Sequence, residues 1–303
     1  MKISRFDILL SDYVETGNFS FLQRMKTEYP IETKILIENV LHLGGVNDVA
    51  VSQKMRAYYS DPTLSKLMKD VSAKFKDLSK YEKQLSEAFS TLRKACPKVR
   101  KPRVYSFVSA LNQSIVVSDT LVGISLDKYL GDDYSLYKKY YLDYQRQTMK
   151  PSRIVPDFLY FYLGSEYPDP QKEKRTLLYE MIKAGKINWV ISKITDTSIN
   201  KTLGLTDKSE QWWQENGKAV WQGLNKNNGK LLNTTDSATI HSAMLVVPNA
   251  APEIKNKFEG CGVIIGTYII KEYMSRHSNF TICNLLHTND YSRLLKESGY
   301  EQN

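Results

Sequence analysis

Cysteine and histidine are scarce in this chain of 303 residues, which contains three of the former and four of the latter. Cys96, Cys261 and Cys283 form no Cys-x-x-Cys motif, and an odd, widely spaced set is not the pattern of a disulfide framework. We therefore expect three buried thiols. No two histidines lie four residues apart and no cysteine–histidine cluster stands out, so a structural zinc site is not expected.

Long apolar runs and the motifs of common enzyme classes are also missing. No stretch reaches the roughly 18 consecutive apolar residues of a transmembrane helix. The opening segment MKISRFDILLSDY has too short an apolar run for a secretory signal peptide, so either the protein is cytoplasmic or an export segment has been removed. The chain contains no G-x-S-x-G nucleophile elbow and no Walker phosphate loop.

Glycines and aspartates that suggest a ligand site have simpler explanations. Gly260, Gly262 and Gly266 lack both the G-x-G-x-x-G spacing and a preceding strand, so they favour close approach of two helices over nucleotide binding. The aspartates of ISLDKYLGDDY lack the alternating spacing of an EF-hand loop. Turns and helix caps explain them better than calcium.

Basic residues outnumber acidic ones, with 42 Lys and Arg against 33 Asp and Glu and a formal net charge of +9. The two signs are interleaved, as in Lys69–Asp70, and such charges usually form solvated surfaces. Nucleic-acid binding is therefore kept only as an alternative. Attraction to an anionic membrane surface would be unspecific.

Helical periodicity dominates residues 1–100. The apolar positions there indicate a hydrophobic core, and no cluster of catalytic or ligand-binding residue types is evident. Ser79–Glu82 has the spacing of a capping box and should open a helix whose inner stripe includes Leu85 and Phe89. Residues 101–125 differ, because three short β-branched and aromatic runs predict a small antiparallel sheet. These runs are Val104–Val108, Ser114–Val117 and Leu121–Ser125.

The most informative stretch is a helix predicted over Gln171–Ile187, with Gly185 as its stop. Tyr179 and Lys183 lie four residues apart and share one face, with Glu180 beside them. A zincin peptidase carries H-E-x-x-H on such a helix, since two imidazoles one turn apart can hold one metal ion. Here the same frame is Tyr-Glu-Met-Ile-Lys, which keeps the glutamate and lacks both histidines.

A second helix, predicted over Asp207–Gly223, carries Glu215, and a glutamate on a second helix is where a Glu-zincin has its third ligand. Lys183 would replace a histidine; its ammonium repels a cation and would pair with Glu180 or Glu215. The simpler interpretation leaves Lys183 and Glu180 as solvent-facing charges. We expect no metal, no cofactor and no catalytic residue. Tyr179, Glu180, Lys183 and Glu215 are the candidate residues of a cleft between the sheet and the two helices.

Several segments in order resemble the gliding-motility lipoprotein B family (GldB) of Bacteroidota, over nearly the whole chain. The most specific is Ile124–Gly131, within VGISLDKYLGDDY. The others are YYSDPTLSKLMKDVSAKF, CPKVRKPRVYSFVS, RIVPDFLYFYLG, LLYEMIKAGKINWVISKI, QWWQENGKAVW and GVIIGTYIIKEYM.

The resemblance implies an exported lipoprotein, anchored by an acylated cysteine after a signal peptide, so Met1 is expected to lie near the start of the mature body. It places the protein in the cell envelope, as an outer-membrane lipoprotein facing the periplasm or the surface. It also implies a distant similarity to zinc peptidases with an H-E-x-x-H helix. No catalytic residue carries over, because both histidines are missing, and gliding itself is not assumed.

Taken together, the sequence predicts an α+β fold, mostly helical, with a small antiparallel sheet and a degenerate zincin-like second half. Residues 1–100 form an N-terminal helical region and residues 101–303 a zincin-like α+β region, packed as one body. The expected function is non-catalytic binding of an envelope protein or peptide through a metal-free cleft. A divergent hydrolase and a nucleic-acid-binding protein are the alternatives.

Overall fold

The computed structural model describes residues 1–168, 175–245 and 260–300. Contacts divide the chain into two compact units. The first comprises Met1–Ser86, Arg100–Lys139 and Met149–Tyr162, and the second comprises Glu87–Val99, Tyr140–Thr148 and Leu163–Asn303. Each unit is made of three segments, so the chain crosses from one unit to the other several times, once near residue 100. The division into residues 1–100 and 101–303 stays a prediction. Packing of the two sequence regions as one body stays a prediction.

The N-terminal half is helical apart from one short strand, as its periodicity predicts. The helices are α1 (Phe6–Thr16), α2 (Phe19–Glu28), α3 (Pro30–Lys34), α4 (Val51–Tyr59), α5 (Pro62–Lys74) and α6 (Ser79–Ala95), with a π-helical turn at Ile35–Val40 after α3. Leu85 and Phe89 are buried, which confirms the inner stripe of α6.

The predicted capping box at the start of α6 is wrong. Asp77 caps this helix, since its carboxylate accepts the Ser79 N–H at 2.8 Å and the Ser79 hydroxyl at 2.7 Å. Glu82 does not cap the helix, and its carboxylate accepts the Ile3 N–H at 2.9 Å. A long-range contact with the N-terminal strand has replaced the local one that the spacing indicated.

Four strands form one sheet in the order β1-β2-β4-β3, and they are β1 (Ile3–Ser4), β2 (Arg103–Phe107), β3 (Ile115–Val117) and β4 (Leu121–Ser125). β2 is parallel to both of its neighbours, and only β3 and β4 are antiparallel. The α+β class and three strand positions are confirmed, whereas the purely antiparallel arrangement is wrong. The chain leaves β2, forms β3 at the edge and returns as β4 beside β2.

Gly123 leaves room on the central strand β4 for the ring of Tyr105, its partner residue on β2. A Cβ atom at Gly123 would lie 2.5 Å from Cζ of Tyr105, closer than any side chain tolerates. All five residues of β4 are buried. This burial is what is expected of a strand that has a neighbour on each side, β2 and β3.

The rest of the chain consists of short and long helices. They are α7 (Ser135–Tyr140), α8 (Asp143–Gln147), α9 (Ile154–Glu166), α10 (Leu177–Ile194), α11 (Ile199–Leu203), α12 (Asp207–Leu224), α13 (Lys226–Gly229), α14 (Ser237–Met244), α15 (Gly262–Arg276), α16 (Ile282–His287) and α17 (Tyr291–Ser298). Short 3₁₀ turns cover Leu126–Lys128 and Pro151–Arg153. Gln171–Lys174 of the predicted central helix lie outside the described residues.

Helices α10 and α15 pack backbone against backbone through glycines. A Cβ at Gly185 would lie 2.1 Å from the carbonyl carbon of Gly266, and a Cβ at Gly266 would lie 1.9 Å from the Met181 carbonyl oxygen. The predicted close approach of helices at Gly262 and Gly266 is thus confirmed. The prediction that Gly185 ends the central helix is wrong, because that residue serves packing and the helix continues to Ile194.

The cysteines depart from expectation. Cys96 and Cys283 form a disulfide that joins positions 187 residues apart, so the prediction of three thiols is wrong for this pair. Cys261 lies outside the disulfide and is buried, as predicted. Burial raises the pKa of the Cys261 thiol to about 12, which keeps it protonated and unreactive at neutral pH.

Candidate functional site

The start of α10 is held by the loop before α14. Thr176 is the N-cap residue of the helix. The Leu177 N–H donates to the Thr234 carbonyl at 3.0 Å, and the Leu178 N–H donates to the Leu232 carbonyl at 2.9 Å. These donors of the first turn are therefore satisfied within the protein. What this end of α10 offers to a ligand is its side chains.

Tyr179 is buried one turn into α10. Its side chain is 9% exposed, and its ring meets the Tyr291 ring edge-on with centroids 4.8 Å apart. The hydroxyl is buried and has no hydrogen-bond partner among the described residues. A buried polar group left in this state costs about 1–3 kcal/mol. Within the described part of the chain, nothing offsets this cost at the Tyr179 hydroxyl.

Glu180 and Lys183 flank Tyr179 at the surface of the helix. Glu180 Oε1 lies 3.4 Å from Arg175 Nε, and the two side chains are 22% and 48% exposed. The contact is a loose ion pair and not a hydrogen bond, since Oε1 has no hydrogen-bond partner. Lys183 is half-buried, and within the described ranges no ion pair involves it. Glu180 is therefore paired with Arg175 and not with Lys183.

Glu215 faces solvent on α12. Its carboxylate accepts a hydrogen bond from Gln211 Nε2 at 3.1 Å, one turn earlier on the same helix. The buried side of α12 is formed by Trp213 and Trp221, and Glu215 lies about 200° around the helix from Trp213. Trp212 is half-exposed and contacts Trp213 edge-on. Three of the four candidate residues thus lie on α10, whereas Glu215 is an exposed residue of α12, and its place in the same site stays a prediction.

A cleft between the sheet and these helices combines elements of both units, so it stays a prediction. The sheet belongs to the first unit, whereas α10 and α12 belong to the second. We therefore treat the start of α10 and the residues that precede it by themselves. The name α10 patch denotes Arg175, Tyr179, Glu180 and Lys183.

Asp127 is a buried carboxylate whose importance the sequence did not reveal. It accepts the Ser109 N–H at 3.0 Å, the Leu111 N–H at 2.6 Å and the Ser125 hydroxyl. Burial raises its pKa, and these donors oppose the rise. Ala110 and Leu111 adopt left-handed backbone angles around it. Asp127 therefore organises a loop, which agrees with the expectation of turns over calcium.

Cys96, Cys283 and His287 form a second cluster that the sequence analysis did not find. Their ligand atoms all lie within 4.8 Å of one another. The expectation of no cysteine–histidine cluster is therefore wrong. The signal was present, because Cys283 and His287 are one helical turn apart in α16. The cluster does not include Glu180.

The family model described as gliding motility protein GldB matches residues 1–302. No curated protein and no solved structure matches significantly. Across the described ranges, every helix is too short or too polar to cross a membrane.

Proposed function

This chain belongs to the GldB family of gliding motility proteins, and from that membership we propose that it binds a protein or peptide partner in the cell envelope without catalysis. The family supports a role in gliding motility and an envelope location. In our proposal the chain is the body of an outer-membrane lipoprotein of a Bacteroidota species, facing the periplasm or the cell surface. Its second half would be a degenerate zincin scaffold.

The observation that carries the proposal is the weakly paired charge at the start of α10. Glu180 and Arg175 lie 3.4 Å apart without a hydrogen bond, and within the described ranges no ion pair involves Lys183. A bound chain would pair with these charges, and their mixed sign suits a polar peptide. The α10 patch thus combines an aromatic residue with charged neighbours, as contact surfaces often do.

The residue types around Glu180 favour binding over metal-dependent hydrolysis. Tyr179 and Lys183 occupy the two positions at which a zincin helix carries its histidines. A protonated ammonium has no lone pair to offer a metal ion. Arg175 adds a second positive charge beside Glu180 at 3.4 Å. A cation at this place would meet repulsion from both basic side chains.

Replacing the chromosomal gene in a gliding host tests the proposal. The double charge reversal Glu180→Lys with Lys183→Glu should abolish colony spreading without lowering the envelope level of the protein. Lys193→Glu is the matched control, because Lys193 is an exposed lysine near the far end of the same helix. Wild-type spreading by the double reversal would overturn the proposal.

Glu180→Gln separates binding from catalysis. It removes a half-exposed ion pair with Arg175 that contributes at most about 1 kcal/mol, so a binding protein should keep most of its function. A glutamate acting as a general base would lose nearly all activity on the same change. Loss of function in Glu180→Gln, with retention in Lys183→Glu, would favour the hydrolase instead.

A further inference from the structure

The cluster of Cys96, Cys283 and His287 differs from the α10 patch in its chemistry. Cys96 follows the C-terminal end of α6 and is buried, Cys283 is half-buried in the first turn of α16, and His287 is exposed at its last residue. The cluster thus extends from the interior to solvent. The disulfide between the two cysteines accounts for their proximity, and the imidazole of His287 lies beside both sulfurs.

The imidazole is oriented as it is in many metal sites. Its Nδ1 lies 2.8 Å from the Cys283 carbonyl oxygen, which can only accept, so Nδ1–H donates to it and Nε2 keeps the lone pair. A tetrahedral zinc ion with Zn–S of about 2.3 Å and Zn–N of about 2.0 Å holds its sulfur and nitrogen ligands about 3.5 Å apart. The ligand atoms of the three residues lie within 4.8 Å of one another, so modest side-chain shifts would bring them to that separation.

Tyr167 holds both sides of the cluster in place. Its ring meets the His287 ring edge-on with centroids 5.1 Å apart, and its hydroxyl lies 3.5 Å from Sγ of Cys96. A single side chain thus contacts the histidine and the buried cysteine together. Supporting contacts of this kind orient the ligands of metal sites.

We propose that Cys96, Cys283 and His287 bind a zinc-type divalent cation when the two cysteines are reduced, and that forming the disulfide abolishes this site. A dithiol reductant transfers two electrons and two protons to the sulfur–sulfur bond, which breaks to give two thiols and the oxidised dithiol. The cation then displaces both thiol protons to water, and binds two thiolates and the His287 nitrogen. A water molecule completes the coordination on the exposed side.

The two states exclude each other because a sulfur bonded to sulfur is not a thiolate, and the thiolate is the metal ligand. An oxidising envelope favours the disulfide, whereas a reducing compartment favours the metal-binding thiols. The cluster would then report the redox state of its surroundings. This inference does not rest on partner binding by the α10 patch.

Zinc binding to the purified full chain tests the inference. The protein is reduced with a dithiol, desalted without oxygen, and titrated with Zn²⁺ against a chromophoric chelator; an oxidised sample is treated in parallel. We expect one zinc ion per reduced chain and none in the oxidised chain. Cys283→Ser should lose the site, and His287→Ala should weaken it by at least the roughly tenfold that loss of a supporting residue causes.

Two control variants are matched to the cluster. His277 has the same local geometry as His287, since in both residues Nδ1 lies 2.8 Å from the carbonyl oxygen four positions earlier. His277→Ala should therefore leave zinc binding unchanged. Cys261→Ser removes the buried third thiol and should also leave it unchanged. Cobalt bound to the reduced wild type should show a thiolate-to-metal charge-transfer band that is absent in Cys283→Ser.

The inference is overturned if the reduced wild type binds no zinc, if the oxidised chain binds it equally, or if His287→Ala binds it as tightly. Near-UV circular dichroism covers the case in which reduction unfolds the chain. Zinc should then restore the native spectrum, because metal binding to a folded site contributes folding free energy. A reduced chain that stays unfolded with zinc present would also overturn the inference.

Discussion

Substitution of Gly266 by alanine tests the backbone contact between α10 and α15. The added Cβ would lie 1.9 Å from the Met181 carbonyl oxygen, and main-chain atoms cannot turn away as a side chain can. Overpacking costs about 1–3 kcal/mol, and a clash with backbone belongs at the upper end of that range. Alanine returns up to about 1 kcal/mol through its better helix propensity. We therefore expect a net loss of about 2 kcal/mol or more.

Gly217→Ala is the matched control for this substitution. Gly217 lies in the interior of α12, and the nearest atom to its added Cβ is Cε3 of Trp213 at 3.9 Å, an ordinary contact. Only the propensity gain applies there, so the variant should be more stable than wild type by up to about 1 kcal/mol. Urea unfolding followed by far-UV circular dichroism measures both. Equal stabilities of the two variants would refute the reasoning.

The remaining predictions concern the disulfide, a carboxylate and the excluded functions. Replacing Cys96 and Cys283 together by serine should cost about 2–5 kcal/mol in urea unfolding, because the bond closes a long loop; an unchanged midpoint would contradict this. Ile3 donates its N–H to Glu82, and this bond lowers the pKa of that carboxyl. Its stabilisation is thus present above the unfolded pKa of about 4.3 and is lost as pH falls through the lower folded pKa. The protection factor of the Ile3 amide, which compares its exchange rate with the intrinsic rate at the same pH, should fall in wild type as pH is lowered through that pKa and should be low at every pH in Glu82→Ala. A pH-independent protection factor in wild type would contradict this. Glu180→Gln should leave any trace peptidase activity of the preparation unchanged, and abolition of such activity would favour a hydrolase. The chain should not bind DNA or RNA at low ionic strength, where a basic nucleic-acid-binding surface would bind most tightly.

The parts of the fold that the sequence predicted are those fixed by local spacing. Leu85 and Phe89 recur one turn apart, and their burial follows from that period. Strand β1 has only two residues, and it pairs with Val104 and Tyr105 across about a hundred residues of chain. No local pattern encodes that pairing, so the strand and the mixed topology were missed.

The structural roles of Gly185 and Cys96 were predicted wrongly because each role is set by a residue far away in the sequence. Gly185 obeys the rule for a helix end, and the rule is overridden because Gly266 from α15 needs the space of its missing side chain. Cys96 finds Cys283 at a separation of 187 residues, which spacing rules do not anticipate. Both outcomes depend on tertiary contacts and not on propensity.

The candidate site also has features that local spacing predicts and features that depend on tertiary contacts. Tyr179 and Lys183 share a face because they lie one turn apart, and the sequence was sufficient to predict this. The pairing of Glu180 with Arg175 depends on how the chain enters α10, which the spacing does not determine. Glu215 was assigned to the same cleft by analogy with a second-helix ligand, and its place in a binding site stays a prediction.

The most direct test of partner binding is site-specific photo-crosslinking in living cells. A photoreactive amino acid at Lys183 should crosslink to one envelope protein or peptide, and the product should disappear when Glu180→Lys is added. The same amino acid at Lys193, on the same helix, should give no such product. Equal crosslinking from both positions, or none from Lys183, would contradict the account.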